Sequence, residues 1–144
     1  MFSQRVRSVM EASKVLTASP DATVRGVAQE MATKKVGAAM VVEDGRLVGI
    51  FTERDAVFRV LARGLDPDRT RLAEVMTASP RTIDPEDTFG YALNIMHENG
   101  FRHLPVIRDG KPVGIVSARS ALDPDLEEFV SEAQRRSHFQ QRRS

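Results

Sequence analysis

Residues 41–50 read Val-Val-Glu-Asp-Gly-Arg-Leu-Val-Gly-Ile, and residues 106–115 read Val-Ile-Arg-Asp-Gly-Lys-Pro-Val-Gly-Ile. In both stretches an Asp-Gly pair lies between two apolar runs, which is a strong signal for a β-hairpin. The two stretches are 65 positions apart, and sliding the chain on itself by 65 residues gives eleven identities between positions 17 and 55 without a gap. The sequence therefore predicts two copies of one structural unit.

Each copy predicts the same order of elements. A short strand is followed by an amphipathic helix, the two strands of the hairpin and a second helix. One unit of about 50 residues would bury too little apolar surface to be stable alone, so we expect the two units to pack sheet against sheet. The predicted fold class is α/β (α+β), with two tandem β-α-β-β-α repeats. The predicted short strands lie near 15–17 and 82–83, the first helices over 23–33 and 88–98, the hairpin strands over 38–42, 47–51, 104–107 and 113–116, and the second helices begin near Glu53 and Ala118.

The repeats divide the chain into three predicted regions. The first repeat covers 8–66, the second covers 72–122, and residues 123–144 form a C-terminal helix with a basic tail. An apolar stripe runs along that last helix and is expected to cover this chain's core or a partner subunit. Its members are Leu126, Phe129, Val130 and Ala133.

Composition narrows the class of protein. The 144 residues carry a formal net charge of +1, which gives no global field for nucleic acid or a membrane surface. The chain has no cysteine, so disulfides and thiolate metal sites are excluded, and the composition is compatible with a reducing cytoplasm. No apolar run has the length that crosses a bilayer, and the polar N-terminus is unlike a secretory signal. We expect a cytoplasmic protein without a membrane span.

Together with the repeat and the hairpins, two runs resemble a known family. They are Gly-Phe-Arg-His-Leu-Pro-Val at 100–106 and Gly-Ile-Phe-Thr-Glu-Arg-Asp at 49–55. The combination is similar to a pair of cystathionine-β-synthase-type (CBS) domains over residues 8–122, a stand-alone Bateman-type module. The resemblance implies pseudo-twofold symmetry, two clefts between the repeats, assembly into a homodimer, and regulation of another protein. It also implies an adenosine-containing ligand: AMP, ADP, ATP, NAD(H) or S-adenosylmethionine, with AMP or ATP favoured.

The site chemistry starts from Thr52 and Asp55. Thr52 lies where a strand gives way to a helix, so its hydroxyl and the unpaired N–H groups of the helix start suit a phosphate. An ionised Asp55 can accept hydrogen bonds from both hydroxyls of a ribose. The family uses this pattern for those two ligand parts, and Arg54 between them is included in the predicted site. The alternative is a capping box in which the two side chains satisfy helix-start donors.

The two predicted clefts differ in charge. In the second copy Ser117 keeps the hydroxyl, but Ser120 replaces the carboxylate and cannot accept both ribose hydroxyls. The family joins the Thr-x-x-Asp segment of one repeat with the strand starts of the other. The Asp55 cleft would then take Thr82, Ile83, Phe101, Arg102 and His103, with Ile83 and Phe101 against adenine and Arg102 or His103 toward phosphate. The weaker cleft would take Val36, Gly37 and Ala38.

Other functions have less support in the residues. The main alternative is a ligand-free dimerisation or protein-interaction module. A less supported alternative is nucleic-acid binding through Arg102, Arg108, Lys111 and the basic tail. Such binding would be strongly salt-dependent. No nucleophile or acid–base arrangement appears, so no enzyme activity is expected. The three scattered histidines have no metal-ligand spacing, so no metal is expected.

Overall fold

The computed structural model of the protein describes residues 2–13 and 15–121. Within these ranges it confirms the mixed α/β class and the two units of like order. The predicted C-terminal helix with its apolar stripe, and the basic tail, lie outside the described residues.

The two units contain corresponding elements in the same order, although the first strand of the second unit is reduced to a single bridge at Ile83. The first has strand β1 (Thr17–Ala18), helix α2 (Val24–Lys34), strands β2 (Ala38–Glu43) and β3 (Arg46–Thr52), and helix α3 (Glu53–Asp55), which continues as a π-helical segment over Ala56–Leu61. The second has helix α5 (Phe89–Asn99), strands β5 (His103–Arg108) and β6 (Lys111–Ser117), and a 3₁₀ turn over Ala118–Ala121. A short helix precedes each unit: α1 (Val6–Val9), and α4 (Leu72–Val75), which leads into strand β4 (Thr77–Ala78).

The two hairpin turns have the conformation that their sequences predict. Asp44 and Gly45 have φ of 52° and 77°, and Asp109 and Gly110 have φ of 54° and 78°. Two successive left-handed residues are typical of the type I′ turn, whose twist matches that of the strands it joins. This backbone favours glycine at the second position, and the sequence supplies it in both copies.

The long helix of each repeat begins at the predicted threonine. Thr23 Oγ1 accepts a hydrogen bond from the Gly26 N–H at 3.2 Å, and Thr88 Oγ1 accepts one from the Tyr91 N–H at 3.3 Å. These caps satisfy donors that a helix start leaves unpaired. Both predicted helix starts are therefore confirmed.

The strand pairing repeats as well. One sheet has the order β1-β2-β3-β4, and the second contains β5-β6. Single bridges complete the second sheet: Ile83 pairs with Val106, as Ala18 does with Val41, and Glu11 pairs with Ile115, as Thr77 does with Ile50. Each equivalent pair is parallel in the first case and antiparallel in the second, so the two repeats share one topology.

Each repeat has its own hydrophobic core, and each core is completed by the segment that precedes the other repeat's long helix in sequence. Val6 of α1 is buried in the core of the second repeat with Phe89 and Leu104. Leu72 and Val75 of α4 are buried in the core of the first repeat. The chain therefore passes from one core to the other on each side of the first repeat.

The two sheets also meet each other. Side chains alternate across a strand, so Met40 points away from Ala39 and Val41, which lie in the first core. Met40 is nonetheless fully buried, as is Pro105 at the equivalent place of the second sheet. The Leu47 N–H donates to the Gly110 carbonyl at 3.1 Å and links the two hairpins. The second face of each sheet is thus covered where the repeats join.

Candidate functional site

The Thr52 and Asp55 side chains form a closed capping box at the start of α3. Asp55 Oδ2 accepts from the Thr52 N–H at 2.9 Å and from the Thr52 hydroxyl at 3.2 Å. The Asp55 N–H donates back to Thr52 Oγ1 at 3.3 Å. The Asp55 residue is only 8% exposed. The capping arrangement that the sequence offered as an alternative is therefore present, and it holds a carboxylate in a fixed, largely dehydrated position.

Arg59 is a member of this cluster that the sequence analysis did not include. Its Nε lies 3.5 Å from Asp55 Oδ1. Its Nη1 donates to the Val75 carbonyl at 3.3 Å and to the Met76 carbonyl at 3.1 Å. An acid and a base four residues apart on a helix are the signal that points to the first of these contacts. The two carbonyl contacts are long-range and have no signal in the sequence.

Arg54 reaches toward the second repeat. Its Nη1 donates to the Gly100 carbonyl at 3.4 Å, and its guanidinium carbon lies 5.4 Å from the centre of the Phe58 ring. Such a distance allows a cation–π contact. Arg54 is exposed, so it lies at the surface where the two repeats meet.

The predicted base contacts lie in or beside the second core. Ile83 is 3% exposed and is part of that core, and Phe101 is half-buried against it. Thr82, next to Ile83, is partly exposed. The structure thus leaves Phe101 and Thr82 accessible and keeps the Ile83 side chain inside, so a contact of Ile83 with a base stays a prediction.

The strand start of each repeat lies beside the helix start of the same repeat. The Glu53 N–H donates to the Gly37 carbonyl at 3.0 Å, and the Ala118 N–H donates to the Arg102 carbonyl at 2.9 Å. Each strand start is therefore bonded to the helix start of its own repeat. Val36, Gly37 and Ala38, which the sequence analysis placed with the second cleft, lie beside the helix start that carries Asp55.

His103 crosses from the second repeat to this same place. A Cβ built on Gly37 would lie 2.7 Å from Glu53 Oε1 and 3.1 Å from His103 Nε2. The absence of a side chain at Gly37 therefore lets both groups approach its Cα. The structure brings His103 and Glu53 together across the boundary between the repeats, and a role of His103 in a ligand site with Thr52 and Asp55 stays a prediction.

Burial lowers the pKa of His103 below its ordinary value. The Glu53 carboxylate acts in the opposite direction, and the Arg102 guanidinium adds to the lowering. The imidazole is therefore mostly neutral at pH 7. A neutral ring has one donor and one acceptor nitrogen, so His103 suits hydrogen bonding better than charge pairing with a phosphate.

The second copy has an uncharged pair of side chains at the equivalent positions. Ser117 Oγ and Ser120 Oγ are 3.3 Å apart, and Ser120 is 6% exposed. Position 124, which corresponds to Arg59, is a proline. Both the acid and the base of the first site are thus replaced by groups that carry no charge.

Other kinds of site find no support in the described part of the chain. Residues 2–13 and 15–121 contain no cluster of three His, Asp or Glu side chains that could hold a metal ion. Among those residues no helix has the length and apolarity to span a bilayer. A surface depression of about 390 Å³ lies on α2, lined by Gly26, Gln29, Glu30, Thr33 and Lys34. None of the predicted ligand-binding residues lines it, so the candidate site rests on the placement of its side chains.

Comparison with known proteins agrees with this architecture. The CBS domain family matches residues 6–62 and 72–125. CBS domain-containing protein CBSCBSPB5 of Arabidopsis thaliana is 38% identical over 109 residues, which are 75% of this chain and 20% of that protein. This chain therefore spans about a fifth of that relative's length.

Two solved structures have closely similar folds. An uncharacterized conserved protein from Pyrococcus horikoshii superposes with a TM-score of 0.80 at 28% identity, covering 87% of this chain and 94% of that one. A CBS domain protein from Pyrobaculum aerophilum, complexed with AMP, superposes with a TM-score of 0.74 at 28% identity, covering 81% and 89%.

Proposed function

This chain belongs to the CBS-domain family, and from that premise we propose that it is a regulatory module that binds an adenine nucleotide and modulates a partner protein. The observation that carries the proposal is the Asp55 carboxylate, which is buried, fixed by its own cap and present in only one of the two repeats. The AMP complex of a similarly folded relative supports an adenosine-containing ligand.

The hydrogen bonds of Asp55 suggest how a ribose would be received. An ionised carboxylate has about four lone-pair sites. Two accept hydrogen bonds here, from the Thr52 N–H and the Thr52 hydroxyl, and a third faces Arg59 Nε in an ion pair at 3.5 Å. Two ribose hydroxyls need two acceptors, so one present contact has to be exchanged. We infer that the Thr52 hydroxyl turns from Asp55 to the phosphate, which releases one Oδ2 lone pair while the Thr52 N–H keeps the carboxylate in place.

The remaining predicted ligand contacts would complete the site around this carboxylate. Arg54 and Arg102 are exposed cations on the two repeats, and a guanidinium fork matches phosphate geometry. His103 would donate from its neutral ring, and Phe101 and Thr82 offer accessible surface for the base. We favour AMP or ATP over ADP, NAD(H) and S-adenosylmethionine. The second cleft, with Ser117 and Ser120, lacks a ribose acceptor of equal strength and would bind more weakly.

An exposed apolar face supports a homodimer. Val57, Phe58 and Leu61 lie on the helix that carries the site, and Leu61 is 75% exposed. Apolar side chains grouped on one surface are typical of interaction sites. A nucleotide could then change the populations of two dimer geometries through its different affinity for each, and a partner protein would respond to that change. We place this activity in the cytoplasm, as the composition predicts.

Isothermal titration of the full chain with AMP, ATP, NADH and S-adenosylmethionine tests the proposal. We expect one binding site per chain, with AMP or ATP the tightest ligand. Two equivalent sites per chain would contradict the unequal clefts. The absence of binding by all four ligands at millimolar concentration would overturn nucleotide binding itself.

A second function, a ligand-free dimerisation or interaction module, is favoured by one observation: the capping box is complete without a ligand. In this case Asp55→Ala would lower the melting temperature, because the cap is lost, but nucleotides would not raise the melting temperature of the unaltered chain. Thermal melting with and without about 5 mM AMP separates the two functions, since a ligand that binds the folded state stabilises it.

A further inference from the structure

Arg59 contacts three groups in two parts of the chain, one carboxylate and two adjacent backbone carbonyls. Its Nε faces the Asp55 carboxylate, and its Nη1 donates to the carbonyls of Val75 and Met76. It lies in the π-helical segment Ala56–Leu61, a rare conformation that is frequent near functional sites. The Arg59 side chain is 41% exposed, so ligand contacts that exclude water from Asp55 would also change its surroundings.

The two carbonyls belong to a segment that connects the repeats. We call residues 72–79, which include α4 and β4, the linker segment. Its Leu72 and Val75 are buried in the first core, and Met76 packs against the Cα of Gly49. The Ser79 N–H donates to the Val48 carbonyl at 3.1 Å. The chain then continues to Thr82 and Ile83, so the linker segment ends three residues before a predicted contact of the same cleft.

The second repeat lacks this connection. The residue equivalent to Arg59 is Pro124, which has no side-chain donor, and the residue equivalent to Asp55 is Ser120. The segment equivalent to the linker segment contains Val9 and Met10 and pairs with Ile115 through Glu11. The backbone plan is therefore duplicated, while within residues 2–13 and 15–121 the link between a carboxylate and that segment is present once.

We propose that Arg59 is a positioning residue that couples nucleotide binding at Asp55 to the order of the linker segment. The inference rests on the proposed function. A bound ribose would cover Asp55 and exclude water, and the attraction between a carboxylate and a guanidinium grows as water is removed. Arg59 would then be held more firmly, and with it the carbonyls of Val75 and Met76. Binding of the nucleotide in the first cleft thereby increases the order of the backbone that leads into the second repeat.

Hydrogen exchange of the full chain, measured by mass spectrometry with and without saturating AMP, tests the coupling. The informative amides are Met76, which donates to Leu72, and Ser79, which donates to Val48. In the unaltered chain we expect AMP to slow exchange across the linker segment. In Arg59→Gln we expect about tenfold weaker AMP binding and, at AMP concentrations that restore saturation, no slowing there. Arg63→Gln, an exposed arginine one turn further on, is the matched control and should behave like the unaltered chain.

Arg59→Lys separates the effect of linking Asp55 to the Val75 and Met76 carbonyls from the effect of the positive charge. It also replaces Arg59→Gln as the test variant if Arg59→Gln does not fold. Lysine keeps a cation near Asp55 but has a single nitrogen. We expect AMP affinity within about threefold of the unaltered chain and at most half of the AMP-dependent slowing. If AMP binds but slows exchange equally in the unaltered chain and the folded Arg59 variants, or does not slow it in the unaltered chain, the coupling is refuted while nucleotide binding stands. If AMP, ATP, NADH and S-adenosylmethionine all fail to bind, the proposed function fails, and the coupling fails with it.

Discussion

The first and second repeats have the same backbone plan and differ in the side chains at one helix start. Thr52 and Asp55 in the first repeat correspond to Ser117 and Ser120 in the second. In both repeats the hydroxyl of the first residue contacts the side chain three positions later. The first pair carries a carboxylate with an arginine partner, whereas the second is uncharged. The same position in the backbone plan therefore accommodates a charged pair in one repeat and an uncharged pair in the other.

The segments that flank the first repeat are matched in how they join the two cores. The first repeat is flanked on both sides by segments that cross to a core: Val6 enters the second core, and Leu72 enters the first. Arg71 donates to the Asp21 carbonyl at 2.7 Å, and Arg5 donates to the Glu86 carbonyl at 2.9 Å, in equivalent positions. Since these backbone contacts are matched, the asymmetry between the repeats lies in side chains such as Arg59, which has no equivalent arginine in the second repeat.

The largest expected effect comes from removing the carboxylate. Asp55→Ala should weaken AMP or ATP binding by several hundred-fold or more, because two hydrogen bonds to a charged group are lost at about 1.5–3 kcal/mol each. Ser120→Ala, the same truncation in the second repeat, should change affinity by less than about twofold. Isothermal titration measures both. Equal losses in the two variants would mean that the repeats contribute equally and that the predicted asymmetry is wrong.

The apolar face of the first repeat gives the next effect. Leu61→Glu should weaken the homodimer by about 100-fold, because burying an unpaired carboxylate at an interface costs several kcal/mol. Val113→Glu, at a 37% exposed site on β6, is the control and should leave the dimer intact. Sedimentation velocity over a range of concentrations gives the dimer constants. A dimer that survives Leu61→Glu would place the interface elsewhere.

Two equivalent glycines, Gly49 and Gly114, lie against the segments that complete the cores, and the atoms that approach them differ. A Cβ on Gly114 would lie 3.0 Å from the Glu11 carbonyl oxygen, which is fixed by two ladder hydrogen bonds of 2.8 and 2.9 Å between Glu11 and Ile115. On Gly49 the nearest atoms belong to the Met76 side chain, which is adaptable. Gly114→Ala should therefore cost about 1–3 kcal/mol of unfolding free energy, and Gly49→Ala less.

Urea unfolding of the two alanine variants measures that difference. A Cβ on Gly114 would also lie 2.8 Å from Met10 Sδ, so Met10 is the equivalent of Met76. If Gly49→Ala proves the more costly, the linker segment holds Met76 more rigidly than the N-terminal segment holds Met10. The comparison would then be reversed, with the linker as the stiffer of the two.

Local patterns predicted most of the fold and the core of the site. The hairpins, the two threonine caps and the Thr52–Asp55 pair are each decided within four residues, so the sequence contains their full signal. The exchange of Val6 and Leu72 between cores, the contact of Arg59 with Val75 and the approach of His103 to Gly37 depend on packing between distant segments. The duplicated Val-Met at 9–10 and 75–76 indicates that both segments belong to the repeat, but it does not indicate which core receives them.

The smallest expected effect is a pH dependence of the free energy of unfolding. It arises from His103 in the second repeat, because the equivalent residue of the first repeat is Ala38. Burial holds the pKa of His103 below the 6.5 of an ordinary histidine, with Glu53 opposing the shift and Arg102 and Glu11 also near enough to act on it. The unfolded chain therefore takes up a proton before the folded chain does. The stability that the neutral ring provides is present above pH 6.5 and is lost as the pH falls toward the folded-state pKa.

Urea unfolding at pH 7.5 and 5.5 should accordingly show a smaller loss of stability in His103→Gln than in the unaltered chain. His97→Gln, an exposed histidine on α5, controls for the loss of a histidine as such and should keep the unaltered difference. If His103→Gln and the unaltered chain lose the same stability on acidification, the imidazole is not buried between the repeats in solution. The approach of His103 to Glu53 and Gly37, and the cross-repeat contact that it provides, would then have to be abandoned.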